Sequence, residues 1–290
     1  MSTDTLTARE GARAGWIRNV AQRELPLALQ LAQTEPLINA FVTSRIELGQ
    51  KNHWRIGGGL WGFFTEHGLD SLLFVGANIV PVQTSDIARE QFASELIRTG
   101  RRSSSILGNR PEVLDLWQRI EGVWGRPREI RENQPFMMLE STAVGPRDSR
   151  VRNVRPSELG ILLPASIHMF TEEVGVSPIL HGGQEQYERR VAEVIAERMA
   201  YAIIENHRVI FKAEVGFSTS DVAQIQGVWV APELRGQGLS GPAIASVVDL
   251  IQRDIAPVVT LYVNDFNVAA FRTYSSVGFK QCGTFATVLF

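Results

Sequence analysis

A glycine-rich segment between a strand-like apolar run and a helical pattern constrains this chain more than any other feature. The apolar run reads VWV over residues 228–230, and the glycine-rich segment reads RGQGLSG over residues 235–241. Glycine lets the backbone approach a phosphate without a Cβ in the way, and the free N–H groups and dipole at a helix start favour negative charge. The segment therefore predicts a site for a pyrophosphate.

Two other nucleotide-binding motifs fit these glycines less well. The letters GQGLSG at 236–241 satisfy the G-x-G-x-x-G pattern of a dinucleotide-binding fold. In that fold the glycine turn follows its strand directly, whereas residues 231–235 intervene here, and the 49 residues after Gly241 are too few for two βαβαβ halves. A Walker loop is excluded because the segment has no Gly-Lys-Ser/Thr.

The segment resembles the coenzyme A loop of the Gcn5-related N-acetyltransferase (GNAT) family, whose pattern is an apolar strand, a proline and then Arg/Gln-x-x-Gly-x-Gly/Ala. The chain has Pro232, Arg235 and Gly238 in place, with Ser240 where Gly or Ala is usual. A second family element follows, since NVAAFRTYSSVGF at 267–279 matches N-x-x-A-x-x-x-Y-x-x-x-G-F. The C-terminal half is thus identified as a member of the GNAT family, which implies acetyl-CoA as acyl donor.

Chain length and linker composition predict two domains. A chain of 290 residues is too long for one such domain, and the breaker-rich region 142–154 has no apolar periodicity. We therefore place the domains at residues 1–147 and 148–290. The first half repeats the strand and helix order of the second, but the residues after Val82 carry no glycine motif. It resembles a degenerate GNAT-like domain, as in uncharacterised actinobacterial proteins with a C-terminal acetyltransferase domain; an unrelated α/β domain is the alternative.

The predicted fold class is α/β (α+β), with tandem GNAT-like domains that each have a mixed, mostly antiparallel sheet flanked by helices. In the second domain, apolar periodicity and turn residues predict strands at 151–155, 200–205, 208–217, 223–230, 258–263 and 281–290, and helices at 156–170, 184–198, 240–253 and 267–276. In the first domain they predict strands at 60–65, 71–76, 77–82 and 103–107, and helices at 85–99 and 110–122.

The resemblance implies roles for residues of both motifs. In the family the strand before the loop parts from its neighbour, so backbone groups of Val228, Trp229 and Val230 would bind the pantetheine arm. The Val228 N–H would donate to the thioester oxygen. Arg235 would contact the pyrophosphate, and Tyr274 would protonate the departing thiolate. The other implied coenzyme A contacts are Gly236, Gln237, Gly238, Leu239, Ser240 and Asn267.

Structural roles remain open for the same residues. Residues 228–230 could be only a buried strand, and Tyr274 could be a core residue. Asn267 would also serve as the N-cap of the last helix, and the Ser240 hydroxyl could cap the helix after the loop.

The general base is left open. Relatives that use a glutamate on the strand before the loop have it where this chain has Gln224, which cannot accept a proton. Glu214, within the apolar strand VIFKAEV at 209–215, is the better candidate, since burial would raise its pKa. Further candidates for the base are His168, His181 and a water chain. Glu172 and Glu173 follow the first helix, where relatives place the acceptor-binding loop, and could recognise a cationic amine.

Composition and charge limit the partners. A net charge of −2 provides no field that would attract nucleic acid. Cys282 is the only cysteine, so an intrachain disulfide and a zinc cluster are excluded, and a reducing, cytoplasmic setting without a metal is expected. Residues 1–10 lack a signal-peptide core and no run of 18 apolar residues occurs, so no membrane partner is predicted. The oligomeric state is not specified.

The leading hypothesis is an acetyl-CoA-dependent N-acyltransferase that acts on a primary amine of a small molecule or peptide by direct attack in a ternary complex. The alternative is a coenzyme A-binding regulatory or scaffold protein without turnover, which Gln224 motivates. A narrower hypothesis is transfer to a metabolite such as an amino sugar, because the mycothiol synthases share the two-copy layout.

Overall fold

The computed structural model describes residues 15–290, except for the side chains of His53 and His181, and the chain forms two compact units. Unit 1 contains the chain up to Glu132 together with Ala286–Phe290, and unit 2 contains Asn133–Phe285.

Unit 1 is a mostly antiparallel sheet with four helices. Its strands are β1 (Gly15–Asn19), β2 (Gly58–Thr65), β3 (Gly68–Gly76), β4 (Asn78–Val82) and β5 (Ser105–Asn109). Its helices are α1 (Leu25–Ala32), α2 (Ala40–Lys51), α3 (Asp86–Thr99) and α4 (Arg110–Trp124). The strands lie in the order β1-β2-β3-β4-β5, and only β4 and β5 run parallel.

Unit 2 has the same plan. Its strands are most of β6 (Glu129–Leu139), β7 (Arg152–Asn153), β8 (Ala200–Glu205), β9 (Arg208–Ser218), β10 (Val222–Val230), β11 (Val258–Tyr262) and the first part of β12 (Lys280–Leu289). Its helices are α5 (Leu159–Val174), α6 (Gln184–Ala196), α7 (Ser240–Asp254) and α8 (Val268–Val277). The strands lie in the order β12-β6-β11-β10-β9-β8-β7, and β10 and β11 run parallel.

Apolar side chains alternate between the two faces along the strands of unit 2 and so build a core on each face of its sheet. On β8, Tyr201 and Ile203 pack with α7 and α8, whereas Ala200 and Ala202 pack with α5 and α6. Successive side chains of a strand point to opposite faces, so both faces of the sheet are covered by helices. The β8–β9 connection turns at Asn206 and His207, both at positive φ, as the predicted hairpin requires.

Each half of the chain ends in a closing strand, β6 or β12, and these closing strands are exchanged between the two units. In chain order β6 ends the first repeat, yet its residues from Asn133 onward belong to unit 2, where they pair with β11. Conversely, Ala286–Phe290 belongs to unit 1, whose sheet continues from β5 to β12. Each unit therefore completes its sheet with a segment from the other half of the chain.

The predicted fold class is confirmed, and the predicted elements of unit 2 agree with the structure to within a few residues. The strand predicted at 151–155 is reduced to Arg152–Asn153, and the helix predicted at 156–170 is a 3-10 turn at Pro156–Glu158 followed by α5. Four elements were not predicted, namely β1, α1, α2 and β6. The boundary between residues 147 and 148 stays a prediction; the compact units meet in the chain at Glu132 and Asn133.

Candidate active site

Strand β10 leaves its parallel neighbour halfway along its length. Register pairs join β10 to β11 only from Val222 to Gln224, where Gln224 stands opposite Thr260. The rest of the strand, through Val230, continues beside β9 alone among the described residues. One edge of β10 is therefore open to a ligand that can pair with its backbone.

A bulge interrupts β10 within this open part. Gln226 pairs with Glu214 and Trp229 with Lys212, so Gly227 and Val228 together face a single residue of β9. Gly227 has a φ of +59°, which favours glycine, and such bulges re-aim backbone groups. Val228, predicted to donate to the thioester oxygen, thus lies in the bulge.

The predicted coenzyme A loop has the backbone form of an anion-binding nest. Gly236 and Gly238 have φ values of +76° and +78°, while Gln237 between them has a negative φ. Alternation of this kind turns successive N–H groups toward one point. No atom lies within 4 Å of where a Cβ would stand at either glycine, so the space beside the loop is free for a ligand.

Helix α7 begins directly after the loop. Its N-cap is Leu239 and Ser240 is its first residue, with no side-chain cap. The expectation that the Ser240 hydroxyl caps this helix is therefore wrong. The uncapped N–H groups of the first turn remain available to an anion.

Arg235 lies at the loop with its guanidinium engaged twice. Its Nε donates to the Val230 carbonyl at 3.0 Å, and its Nη2 donates to the Glu172 carboxylate at 2.8 Å. Both side chains of the Arg235–Glu172 pair are about half exposed, so the pair contributes little to stability and can exchange partners. Glu172 thus contacts Arg235, the residue that is predicted to bind the pyrophosphate.

The second motif places two residues on α8. The Asn267 side chain accepts a hydrogen bond from the Ala270 N–H at 3.1 Å, so its predicted role as N-cap is confirmed. Tyr274 is buried in the core that α7 and α8 share with the sheet. Burial, and the nearby charge of Glu173, raise the pKa of Tyr274, so its phenol stays protonated at neutral pH.

A charged network lies beneath the bulge. Lys212 is 1% exposed, and its Nζ donates to the Gly227 carbonyl at 3.1 Å and contacts Glu214 Oε2 at 3.5 Å. The other oxygen of Glu214, Oε1, accepts from Arg190 at 3.1 Å and from Gln226 at 3.0 Å. Both oxygens of this buried carboxylate are therefore held by donors.

The pKa expected for Glu214 was wrong in direction. Burial, the largest single influence, raises it, but Lys212 and Arg190, with hydrogen bonds from Gln226 and Arg190, together lower it below the usual value. Glu214 is therefore ionised at neutral pH and weakly basic.

Three members of this network were not predicted from the sequence, namely Arg190, Lys212 and Gln226. A signal was present, because Lys212 and Glu214 stand two apart in an apolar strand and so share one face. Among the other candidate bases, His168 lies on α5, and the side chain of His181 is outside the described residues.

Unit 1 fills the corresponding place with its own carboxylate. Only Gln83–Ser85 separate β4 from α3, and the Ser85 hydroxyl caps that helix by accepting from the Ala88 N–H. The buried Glu112 carboxylate accepts from the N–H of Thr84 at 2.5 Å and from its hydroxyl at 2.7 Å. The Glu112 side chain thus stands at the start of α3, where unit 2 has an open glycine loop.

Among the described side chains, which leave out those of His53 and His181, no group of three or more His, Cys, Asp or Glu is placed to hold a metal ion. No helix within residues 15–290 combines the length and the apolar character needed to cross a bilayer.

A mixed sheet that opens beside a glycine nest at a helix start defines a domain that can hold a phosphate-bearing ligand. Residues 183–279 match the model of the acetyltransferase (GNAT) family, so the chain carries a GNAT acetyltransferase domain. Residues 58–162 match a domain of unknown function, DUF4081. No curated protein matches the sequence.

Solved structures share the fold over nearly the whole chain. An acetyltransferase of the GNAT family from Colwellia psychrerythraea is 11% identical, with a TM-score of 0.58 over 94% of this chain and 99% of that one. A GCN5-related N-acetyltransferase from Sphaerobacter thermophilus is 14% identical, with a TM-score of 0.58 over 95% of both chains. A tandem GNAT protein from the clavulanic acid biosynthesis pathway is 12% identical, with a TM-score of 0.57 over 95% of this chain and 98% of that one. The tandem GNAT architecture is thereby confirmed.

Proposed function

We propose that the chain is an N-acyltransferase that moves the acetyl group of acetyl-CoA to a primary amine by direct attack in a ternary complex. The observation that carries this proposal is the combination of the open edge of β10 with the glycine nest at the start of α7. The open edge can pair with the amide-rich pantetheine arm, and the nest can bind the pyrophosphate.

The loop residues would hold the donor. The N–H groups from Gly236 to Ser240 would bind the pyrophosphate, and the free space beside Gly236 and Gly238 fits a group that approaches the backbone closely. Arg235 would exchange Glu172 for a phosphate oxygen, which keeps its hydrogen bond charge-assisted. Asn267 would stay the N-cap of α8 and fix the neighbouring loop.

The bulge would act on the reacting carbonyl. As the amine forms its bond to the acetyl carbon, the thioester oxygen gains negative charge, and the Val228 N–H would donate to it. The carbon–sulfur bond then breaks, the Tyr274 phenol passes its proton to the sulfur, and a proton lost by the amine restores the phenol. Because the pKa of Glu214 is lowered, we assign it to holding the network beneath the bulge rather than to accepting the proton.

Replacement of Gly238 by valine tests the donor site. Gly238→Val adds a branched side chain in the space beside the loop and disfavours the positive φ, so we expect acetyl-CoA affinity to fall by a factor of about 10 to 100, the value of one charge-assisted hydrogen bond. Calorimetric titration measures it. Gly100→Val is the matched control, since Gly100 has a φ of +73° and equally free space at the end of α3.

Unchanged affinity in Gly238→Val would contradict the donor site. Release of free thiol from acetyl-CoA with a panel of primary amines tests turnover. Tight acetyl-CoA binding without thiol release under any amine would favour the regulatory alternative.

Replacement of Tyr274 by phenylalanine tests the proton donor. The Tyr274 hydroxyl makes no hydrogen bond to another described residue, so Tyr274→Phe should leave the stability of unit 2 and acetyl-CoA affinity almost unchanged. We expect kcat to fall by about 100-fold or more, the usual contribution of a positioned acid. Thiol-release assays measure kcat. A wild-type kcat in Tyr274→Phe would mean that Tyr274 is only a core residue.

A further inference from the structure

A cavity opens over the charged network of unit 2. It has a volume of about 190 Å³ and is lined by Pro178, Gly183, Gln186, Tyr187 and Arg190. That volume equals roughly six water molecules, enough for a small polar group. Tyr187 is fixed in the wall because its hydroxyl donates to the Ser166 carbonyl at 2.9 Å.

Arg190 is the one charged side chain in this lining. Its side chain is 44% exposed, and among the described residues a single donor, Nη2, is engaged, by Glu214. The guanidinium has five N–H donors in a planar fork, so donors remain for a ligand.

Within the network of Lys212, Arg190 and Glu214, two positive charges share one negative charge. Glu214 is already compensated by Lys212, which is buried beside it and has no route to solvent. Arg190 shares the Glu214 carboxylate with Lys212, and its donors other than Nη2 remain available to a ligand in the cavity that it lines. An anionic group there would be bound by a cation that is only partly hydrated.

The same network connects the cavity to the bulge. One oxygen, Glu214 Oε1, accepts hydrogen bonds from both Arg190 and Gln226, and Gln226 precedes the bulge residues Gly227 and Val228. Burial, then Glu214 and least of all Glu173 raise the pKa of Tyr187 in the cavity wall, and burial followed by Glu173 raises the pKa of Tyr274 on α8. The charge of Glu173 therefore acts on both tyrosines.

We propose that Arg190 binds an anionic group of the acceptor, so that the acceptor is a primary amine that also carries a carboxylate or a phosphate. This inference rests on the proposed function and names its substrate class. The anionic group binds Arg190, and the amine extends along the side of the network toward the bulge that contains Val228.

Matched pairs of amines test the proposal. Thiol release from acetyl-CoA is measured with β-alanine against β-alaninamide, and with phosphoethanolamine against ethanolamine, in the wild type, Arg190→Gln and Arg189→Gln. We expect the member of one pair that bears the carboxylate or phosphate to have a kcat/KM about 10 to 100 times higher, a preference lost in Arg190→Gln and kept in Arg189→Gln. Arg189 is an exposed neighbour that does not line the cavity. The pair that shows the preference identifies carboxylate or phosphate.

A binding measurement separates this inference from the proposed function. The side-chain Nε–H resonance of Arg190, assigned by its loss in Arg190→Gln, should shift with β-alanine or phosphoethanolamine and not with β-alaninamide or ethanolamine. If no amine supports thiol release, the shift alone decides whether Arg190 is an anion site. Equal rates for amines with and without the anionic group, a preference that survives Arg190→Gln, or the absence of any shift would each overturn the proposal.

Discussion

Removal of Ala286–Phe290 is expected to unfold unit 1, although these residues lie more than 150 positions after the rest of that unit. Ala286 and Val288 are fully buried in its core. The Phe290 ring packs against Trp117 at 5.6 Å and Trp124 at 5.5 Å, and its N–H donates to the Ser104 carbonyl at 3.0 Å.

The expected loss is comparable to the whole stability of a domain. Removing a buried valine and a packed phenylalanine costs about 5 kcal/mol or more, and domains are stable by about 5–15 kcal/mol. The lost strand also leaves the edge of β5 unpaired. We expect amide hydrogens of β3 to β5 to lose their protection from exchange.

Single substitutions make the test quantitative. Phe290→Ala should destabilise unit 1 by about 3–5 kcal/mol in denaturant unfolding. Phe266→Ala is the control, because Phe266 is 69% exposed, and surface substitutions of this kind change stability by about 0.5 kcal/mol or less. Retention of native exchange protection in β3 to β5 after truncation would show that unit 1 does not need the exchanged strand.

Replacement of Lys212 by methionine is expected to destabilise unit 2 by about 3–5 kcal/mol, the usual result of removing one partner of a buried ion pair. The substitution leaves Glu214 buried with Arg190 and Gln226 only, and it removes the donor to the Gly227 carbonyl. Because that carbonyl belongs to the bulge, kcat for thiol release should fall as well.

The pH dependence of this variant has a definite sign. A carboxylate whose folded-state pKa is lowered stabilises the fold above its unfolded-state pKa, and that contribution is lost as the pH falls. Without Lys212 the pKa of Glu214 rises. As the pH falls, Glu214 is therefore protonated in the variant before it is protonated in the wild type, and its buried charge is removed. The stability difference between wild type and Lys212→Met should therefore shrink as the pH falls from neutral toward about 4.

Two further variants complete the experiment. Lys212→Met with Glu214→Gln removes both charges and should recover part of the lost stability, since neither charge is then buried alone. Lys280→Met is the matched control, because Lys280 is an exposed lysine of the same unit. Equal loss in Lys212→Met and Lys280→Met would mean that the buried pair does not hold the bulge.

The sequence was sufficient for most of unit 2 because its elements follow regular periods and end at strong turn residues, such as Asn206 and His207. Strand β6 escaped prediction because its first half is charged and Pro135 interrupts it. The exchange of closing strands could not be predicted, since periodicity identifies a strand but not its neighbour.

Within the candidate site, features that depend on neighbouring residues in the sequence could be predicted better than features that depend on contacts between distant elements. The backbone form of the glycine loop followed from Gly236 and Gly238, which require no partner elsewhere. The lowered pKa of Glu214 depends on Arg190, which lies 24 residues earlier on another element. No local pattern contains that contact, so burial alone suggested the opposite direction.

The exchanged strands also set the order of events during synthesis. Residues up to Glu132 leave the ribosome without the segment that completes their sheet, and Ala286–Phe290 is made 153 residues later. At about 5–20 residues per second, that delay is roughly 10–30 s. The first unit to be translated is therefore the last that can finish folding, and in the meantime the exposed edge of β5 is a site where chaperones or neighbouring nascent chains can bind.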